Sequence, residues 1–159
     1  MAVTEISRIR ESLGPGKRLL GLDIGSKTIG LALSDVTCML ASPAETIRRT
    51  KFTEDVRKLD AFIKTQDVGG LILGLPISMD GTEGPRCQST RDFARNLLEI
   101  FDIPIAFWDE RLSTAAVQRV LIKEADMTRK RRGEVVDKMA AAYILQGALD
   151  AMPTPGLGG

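Results

Sequence analysis

The chain has 159 residues, 43% of them hydrophobic and 27% charged, with a formal net charge of +1. This is the balance of one folded domain with its own core, and no excess of charge marks a nucleic-acid binder. Histidine is absent, which excludes Ser-His-Asp and Cys-His catalysis, histidine proton shuttles and imidazole metal sites.

The first eighteen residues carry Glu5, Arg8, Arg10, Glu11, Lys17 and Arg18, so no apolar signal segment is present. No apolar run approaches the roughly 18 residues of a membrane span. Cys38 and Cys87 are too few for a disulfide framework and lack metal-ligand spacing. Two free thiols fit a reducing compartment, so a cytoplasmic protein with no membrane partner is expected. Residues 1–16 close in Gly14-Pro15-Gly16 and are expected to form a flexible extension. Residues 17–150 form the domain, and the Pro/Gly-rich residues 151–159 a disordered tail.

Within the domain, KRLLGLDI (residues 17–24) reads as a strand with Leu20, Leu22 and Ile24 on one face and Asp23 on the other. Gly25-Ser26-Lys27 makes a turn into a second strand, TIGLALS, from Thr28 to Ser34, so the two form an antiparallel hairpin. A weaker third strand falls within residues 40–47. Phe52, Val56, Leu59 and Ile63 recur at helical spacing. VGGLILGL (residues 68–75) is a continuous apolar run, as in a strand covered on both faces. Phe93, Ala94, Leu97, Leu98 and Phe101 mark another helix, and Ile103 to Trp108 another buried strand. Ser113 or Thr114 caps a helix bearing Val117, Val120 and Leu121, and a last helix runs from about Glu134 to Asp150. A β-meander followed by alternating helix and strand predicts an α/β fold: a mixed sheet flanked by helices, with a right-handed βαβ unit between the last two strands.

Acid–base or metal chemistry must rest on the 21 aspartates and glutamates, on lysine, on Tyr143 or on the cysteines. Three carboxylate positions stand out. Asp23 ends the first strand beside Gly25, where a glycine lets backbone or a phosphate come close. Asp109 and Glu110 follow the strand IPIAFW, where open α/β sheets hold their ligands. Adjacent strand residues face opposite sides, so only one of the two shares a face with Asp23; the alternation does not say which. Asp137 shares a helical face with Gly133, Ala140, Ala141, Ile144 and Ala148. A carboxylate in such a small, apolar stripe needs a cation or a strong hydrogen-bond set, unless it only opens the helix's first turn. If the three positions converge, their mutual repulsion calls for metal. An oxygen-only donor set favours Mg²⁺ or Mn²⁺, and two such ions suffice for phosphodiester hydrolysis without histidine. The run Arg129-Lys130-Arg131-Arg132 precedes the last helix as read here, and Arg48, Arg49 and Lys51 form a smaller cluster. Both are ordinary solvated loops or anchors for a polyanionic backbone. Residues 74–84 (GLPISMDGTEG) make a shaped loop, and no Walker A motif occurs.

The stretches GLDIGSKTIGLALSD, LILGLPISMDGTEGP, FWDERLSTAAV and VVDKMAAAYIL resemble, in order and spacing, the YqgF/RuvX family of pre-16S rRNA nucleases and Holliday junction resolvase-like proteins. The resemblance covers about residues 18–149. It implies an RNase H-like fold with a five-stranded mixed sheet, and metal-dependent phosphodiester hydrolysis with two Mg²⁺ or Mn²⁺ ions expected. It also implies a role in 5′-end processing of pre-16S rRNA. Carried over by motif, the acidic triad is Asp23, Glu110 and Asp137, which selects Glu110 over Asp109. Lys27, Arg111, Arg129, Lys130, Arg131 and Arg132 are the expected phosphate contacts. The expected partners are pre-rRNA, ribosomal precursor particles or branched DNA, bound by a monomer or homodimer. The alternatives are a junction-cutting DNA endonuclease and a non-catalytic nucleic-acid-binding module. An actin-type ATPase shares the D-x-G turn, but that class needs two such domains.

Overall fold

A computed structural model describes residues 3–112 and 129–152, and side chains throughout that range except those of residues 129–137. Five strands form one sheet: β1 (Arg18–Ile24), β2 (Thr28–Ser34), β3 (Ala41–Arg48), β4 (Val68–Leu75) and β5 (Ile105–Asp109). Their order across the sheet is β3-β2-β1-β4-β5. The meander β1-β2-β3 is antiparallel, whereas β4 runs parallel to both β1 and β5. The mixed five-stranded sheet and the βαβ unit expected from the sequence are both present.

The alternation of side chains along each strand divides the core in two. Leu20, Leu22, Leu71, Leu73 and Ile105 point to the face covered by α2 (Phe52–Thr65) and α3 (Pro85–Leu98). Leu19, Ile72, Ala106 and Trp108 point to the other, against α4 (Arg129–Ala151). The middle strands β1 and β4 are buried on both sides, which explains the near-continuous apolar run of VGGLILGL. At the edge, β3 is largely exposed and carries Pro43 and Glu45, residues that discourage pairing with another chain.

The approach of α4 depends on glycine. A Cβ at Gly21 would lie 2.7 Å from the Leu145 Cβ and 3.1 Å from the Ala141 carbonyl oxygen. Gln146 fastens the same helix to the approach of β3: its Oε1 accepts from the Ala41 N–H at 2.9 Å, and its Nε2 donates to the Met39 carbonyl at 3.1 Å.

Three expectations are revised. The last helix starts at Arg129 rather than near Glu134, because Arg and Lys are good helix formers and one interior glycine costs only about 1 kcal/mol. The basic run is therefore the first turn of α4, not a loop before it. The strand expected over residues 103–108 is β5, Ile105–Asp109. Of the segment before Lys17, the described residues from Val3 on are packed rather than loose. The Thr4 N–H donates to the Ile105 carbonyl at 2.8 Å, Ile9 in the short helix α1 (Ile6–Ile9) is fully buried, and Arg10 donates to the Cys38 carbonyl at 2.6 Å. Ile6 and Ile9, three residues apart, give α1 its apolar face. The expected helix capped by Ser113 or Thr114 and the tail beyond residue 152 lie outside the described residues. Among the described residues no helix is long and apolar enough to cross a membrane.

Gly21→Ala should force α4 away from β1 and cost about 1–3 kcal/mol, read as a lower urea midpoint at unchanged slope. A midpoint equal to that of the parent chain would show that the contact is not tight.

Candidate active site

Asp23 is the sixth residue of β1 and pairs with Gly30 of β2. Leu19 points to the α4 side and Leu20 and Leu22 to the other, so Asp23 belongs to the α4 side. It is buried, with 5% of its surface exposed. On β5, Ala106 and Trp108 face α4 whereas Ile105 and Phe107 face the opposite layer. Asp109, the last residue of that strand, continues the second set. Glu110 opens a 3-10 turn (Glu110–Leu112) and is buried at 8% exposure.

The strand between them explains how a glutamate fits there. Leu22 pairs with Leu73, and Gly74 with Trp108, so Gly74 lies on β4 between the ends of β1 and β5. A Cβ on Gly74 would sit 3.2 Å from Glu110 Cγ and 2.5 Å from Ile144 Cδ1 of α4. The glutamate side chain thus lies over a bare strand position, on the face shared with Asp23 and α4. Alternation and packing put Glu110, and not Asp109, on the face of the sheet that carries Asp23. The value of Gly74 was not legible in its motif, because a strand glycine reads as a bulge or turn until its neighbours across the sheet are known.

Asp109 is occupied elsewhere. Its carboxylate accepts two hydrogen bonds from Arg111 Nε at 3.0 and 3.1 Å and one from Arg111 Nη2 at 2.7 Å, and its Oδ1 also accepts from the Arg111 backbone N–H at 2.9 Å. Hydrogen bonding to the Arg111 side chain is the main cause that holds the Asp109 carboxyl below the ordinary aspartate range, against a smaller opposing effect of burial. Arg111 in turn faces the 76–84 loop, where a Cβ on Gly81 would lie 3.6 Å from its Nη1. That loop is a tight turn, closed by Ser78 N–H to the Thr82 carbonyl at 3.0 Å and Gly81 N–H to the Ser78 carbonyl at 2.8 Å. Asp80 accepts from the Thr82 hydroxyl at 2.7 Å, the main cause lowering its pKa.

The other candidates are placed as follows. Lys27 is exposed in the β1–β2 turn, which the Gly25 N–H closes on the Thr28 carbonyl at 2.9 Å. Arg129, Lys130, Arg131 and Arg132 fall in the first turn of α4, and Asp137 falls in its third. Asp137 therefore does not open the helix, which removes the reading of a simple first-turn aspartate. The side chains of these five residues lie outside the described ones. Among the described residues no group of three acidic or thiol side chains could hold a metal ion. The described pair, Asp23 and Glu110, offers carboxylate oxygens only, a donor set that fits a hard dication.

The arrangement is that of an RNase H-like domain with buried acidic residues at the carboxyl ends of β1 and β5. T. thermophilus RuvC in complex with a Holliday junction substrate shares this fold, with a TM-score of 0.50, 15% identity, and coverage of 85% of this chain and 94% of that one. Residues 17–151 match the family described as RuvX, Holliday junction resolvase, and the chain belongs to that family. A protein of Paramagnetospirillum magneticum described as "Putative pre-16S rRNA nuclease" is 64% identical over 150 residues, covering 94% of this chain and 96% of the relative. One of Rhodospirillum rubrum with the same description is 59% identical over 152 residues, covering 96% and 94%.

The Asp109–Arg111 pair makes a pH prediction. A carboxyl held below its unfolded value stabilises the fold fully above the unfolded pKa, about 3.9, and the benefit is lost as pH falls through the folded value. The urea midpoint of Asp109→Asn should fall below that of the parent chain by a constant amount above about pH 5, and the gap should close as pH falls toward the depressed pKa. A gap that does not change with pH would contradict this.

Proposed function

We propose that this chain is a divalent-metal-dependent nuclease that hydrolyses phosphodiester bonds in 5′-end processing of pre-16S rRNA, acting in the cytoplasm. Asp23, Glu110 and Asp137 would hold Mg²⁺ or Mn²⁺. The reading is carried by two buried carboxylates on one sheet face, flanking the bare Gly74 position, in a chain without histidine. Family membership and the close relatives support the nuclease class and the ribosomal RNA substrate.

The protein's own residues would divide the work. Asp23 and Glu110, on strand ends fixed by the sheet, provide ligands that need little reorganisation. Trp108, Ile144 and the small residues of α4 keep water from the inner side of the site. Arg111, which Asp109 holds near the 76–84 turn, would with Lys27 and the Arg129–Arg132 run supply phosphate contacts. When bound, one or two dications supply an activated water and stabilise the leaving oxygen. Processing an RNA end does not require a dimer, whereas symmetric junction cutting suits one.

The test is cleavage of pre-16S rRNA, unstructured RNA and four-way DNA junctions, with and without Mg²⁺ or Mn²⁺. The parent chain should cut the rRNA precursor only with metal. Asp23→Asn and Glu110→Gln should each lower the rate by on the order of 100-fold or more while the chain still melts cooperatively. Unchanged cleavage by either variant removes the proposed site, and selective cutting of the DNA junction replaces the RNA substrate with DNA.

A further inference from the structure

The Arg48–Lys51 cluster has no part in the site so far, yet one member lies in a cleft. At the carboxyl end of β1 a cavity of about 260 Å³ is lined by Gly25, Ser26, Arg49, Pro85, Arg86 and Ser89, together with the buried Ile24. It is built from three separated segments: the turn after Asp23, the residue after β3, and the first turns of α3. Two arginines and two serines line one space, and no carboxylate residue is among the described residues that line it.

Arg49 is fixed in place. Its backbone N–H donates to the Lys27 carbonyl at 2.8 Å, its Nη1 donates to the Gly25 carbonyl at 2.6 Å, and its guanidinium carbon lies 5.4 Å from the centre of the Phe93 ring. A guanidinium has five N–H donors and no acceptor, so one carbonyl and a ring face leave donors for an anion. Arg86 and Ser89 are exposed on the rim. Arginine forks with flanking hydroxyls match the oxygens of a phosphate.

We propose that this cleft is a second phosphate subsite, which holds a backbone phosphodiester of the substrate strand next to the one that is cut. Ser26 is three residues beyond Asp23, at most about 11 Å along the chain. That is within reach of a neighbouring nucleotide of a strand lying across the ends of β1 and β4. The assignment rests on the nuclease reading for the identity of the strand, but the cleft's affinity for a phosphodiester is measurable without cleavage.

The experiment titrates the full chain, with metal chelated, against a fluorescent 12-nucleotide RNA over a range of salt concentrations. Arg86→Gln should weaken binding roughly 3- to 10-fold and lower the log–log salt slope by about 0.7, one phosphate contact on a single strand. Ser89→Asp, which brings a negative charge into the cleft, should weaken it further. Both positions are exposed, so melting temperatures should match the parent chain. In cleavage assays the Arg86→Gln loss should fall on KM more than on kcat. An unchanged salt slope for Arg86→Gln overturns the subsite, as does failure of the parent chain to bind RNA. Competition by a nucleoside monophosphate as strong as by the oligonucleotide also overturns it, since the occupant is then a free phosphate ester. A parent chain that binds RNA with these salt effects but never cleaves it leaves the subsite standing and removes only the nuclease reading.

Discussion

The structure depends on how closely one helix can lie against one face of the sheet. Glycines open the space where α4 crosses the central strands: Gly21 under Leu145, and Gly74 under Ile144. On the helix itself, a Cβ at Gly147 would lie 3.0 Å from Trp108 Nε1. Each missing side chain removes a spacer that would hold helix and sheet apart, and interiors this dense do not absorb an extra methyl without displacement. The same bare position at Gly74 receives the Glu110 side chain, so the packing constraint and the candidate site coincide at one residue.

From that contact the polar groups sort themselves. The alternation of β1 and β5 sends Asp23 and Glu110 to the α4 face, while Asp109 continues the opposite side and is neutralised by Arg111. Adjacent acidic residues with nearly identical local chemistry thereby take different work. Glu110 is buried on the sheet face that carries Asp23, and Asp109 anchors an arginine beside the 76–84 turn. The meander β1-β2-β3 brings the β1–β2 turn and Arg49 together, and the β4–α3 connection brings the start of α3 to the same end of the sheet. Charges of both signs thus meet around the carboxyl ends of β1 and β4, though they lie as far apart along the chain as Asp23 and Arg111 and sum to almost nothing.

Much of the fold is legible along the chain. The alternation in KRLLGLDI, the unbroken apolar run of VGGLILGL and the helical spacing of Phe52, Val56, Leu59 and Ile63 each mark an element that forms, because each local pattern agrees with its burial in the sheet or against it. Asp23 was legible because its strand is long enough to give a phase. Asp109 and Glu110 were not separable by pattern, since phase counts only from a known strand end, and β5 ends one residue later than its apolar run. The start of α4 was hidden by Gly133 and by four consecutive cations, which look like a loop although they favour helix. In residues 3–16 the helical signal is Ile6 and Ile9, too short to separate a docked helix from a tail, and the backbone and Arg10 hydrogen bonds that also hold the segment leave no pattern in the sequence. The pairing of Arg49 with Arg86 depends on two long-range connections and has no local signature.

The most direct measurement is Mn²⁺ binding by the full-length chain, followed by calorimetry and by loss of the free-ion paramagnetic resonance signal, for the parent and for Asp23→Asn, Glu110→Gln and Asp109→Asn. Alternation that sets Glu110 beside Asp23 and turns Asp109 away predicts saturable binding in the parent and in Asp109→Asn, with strong weakening in the other two. Binding that Asp109→Asn loses and Glu110→Gln retains would contradict the account at its root.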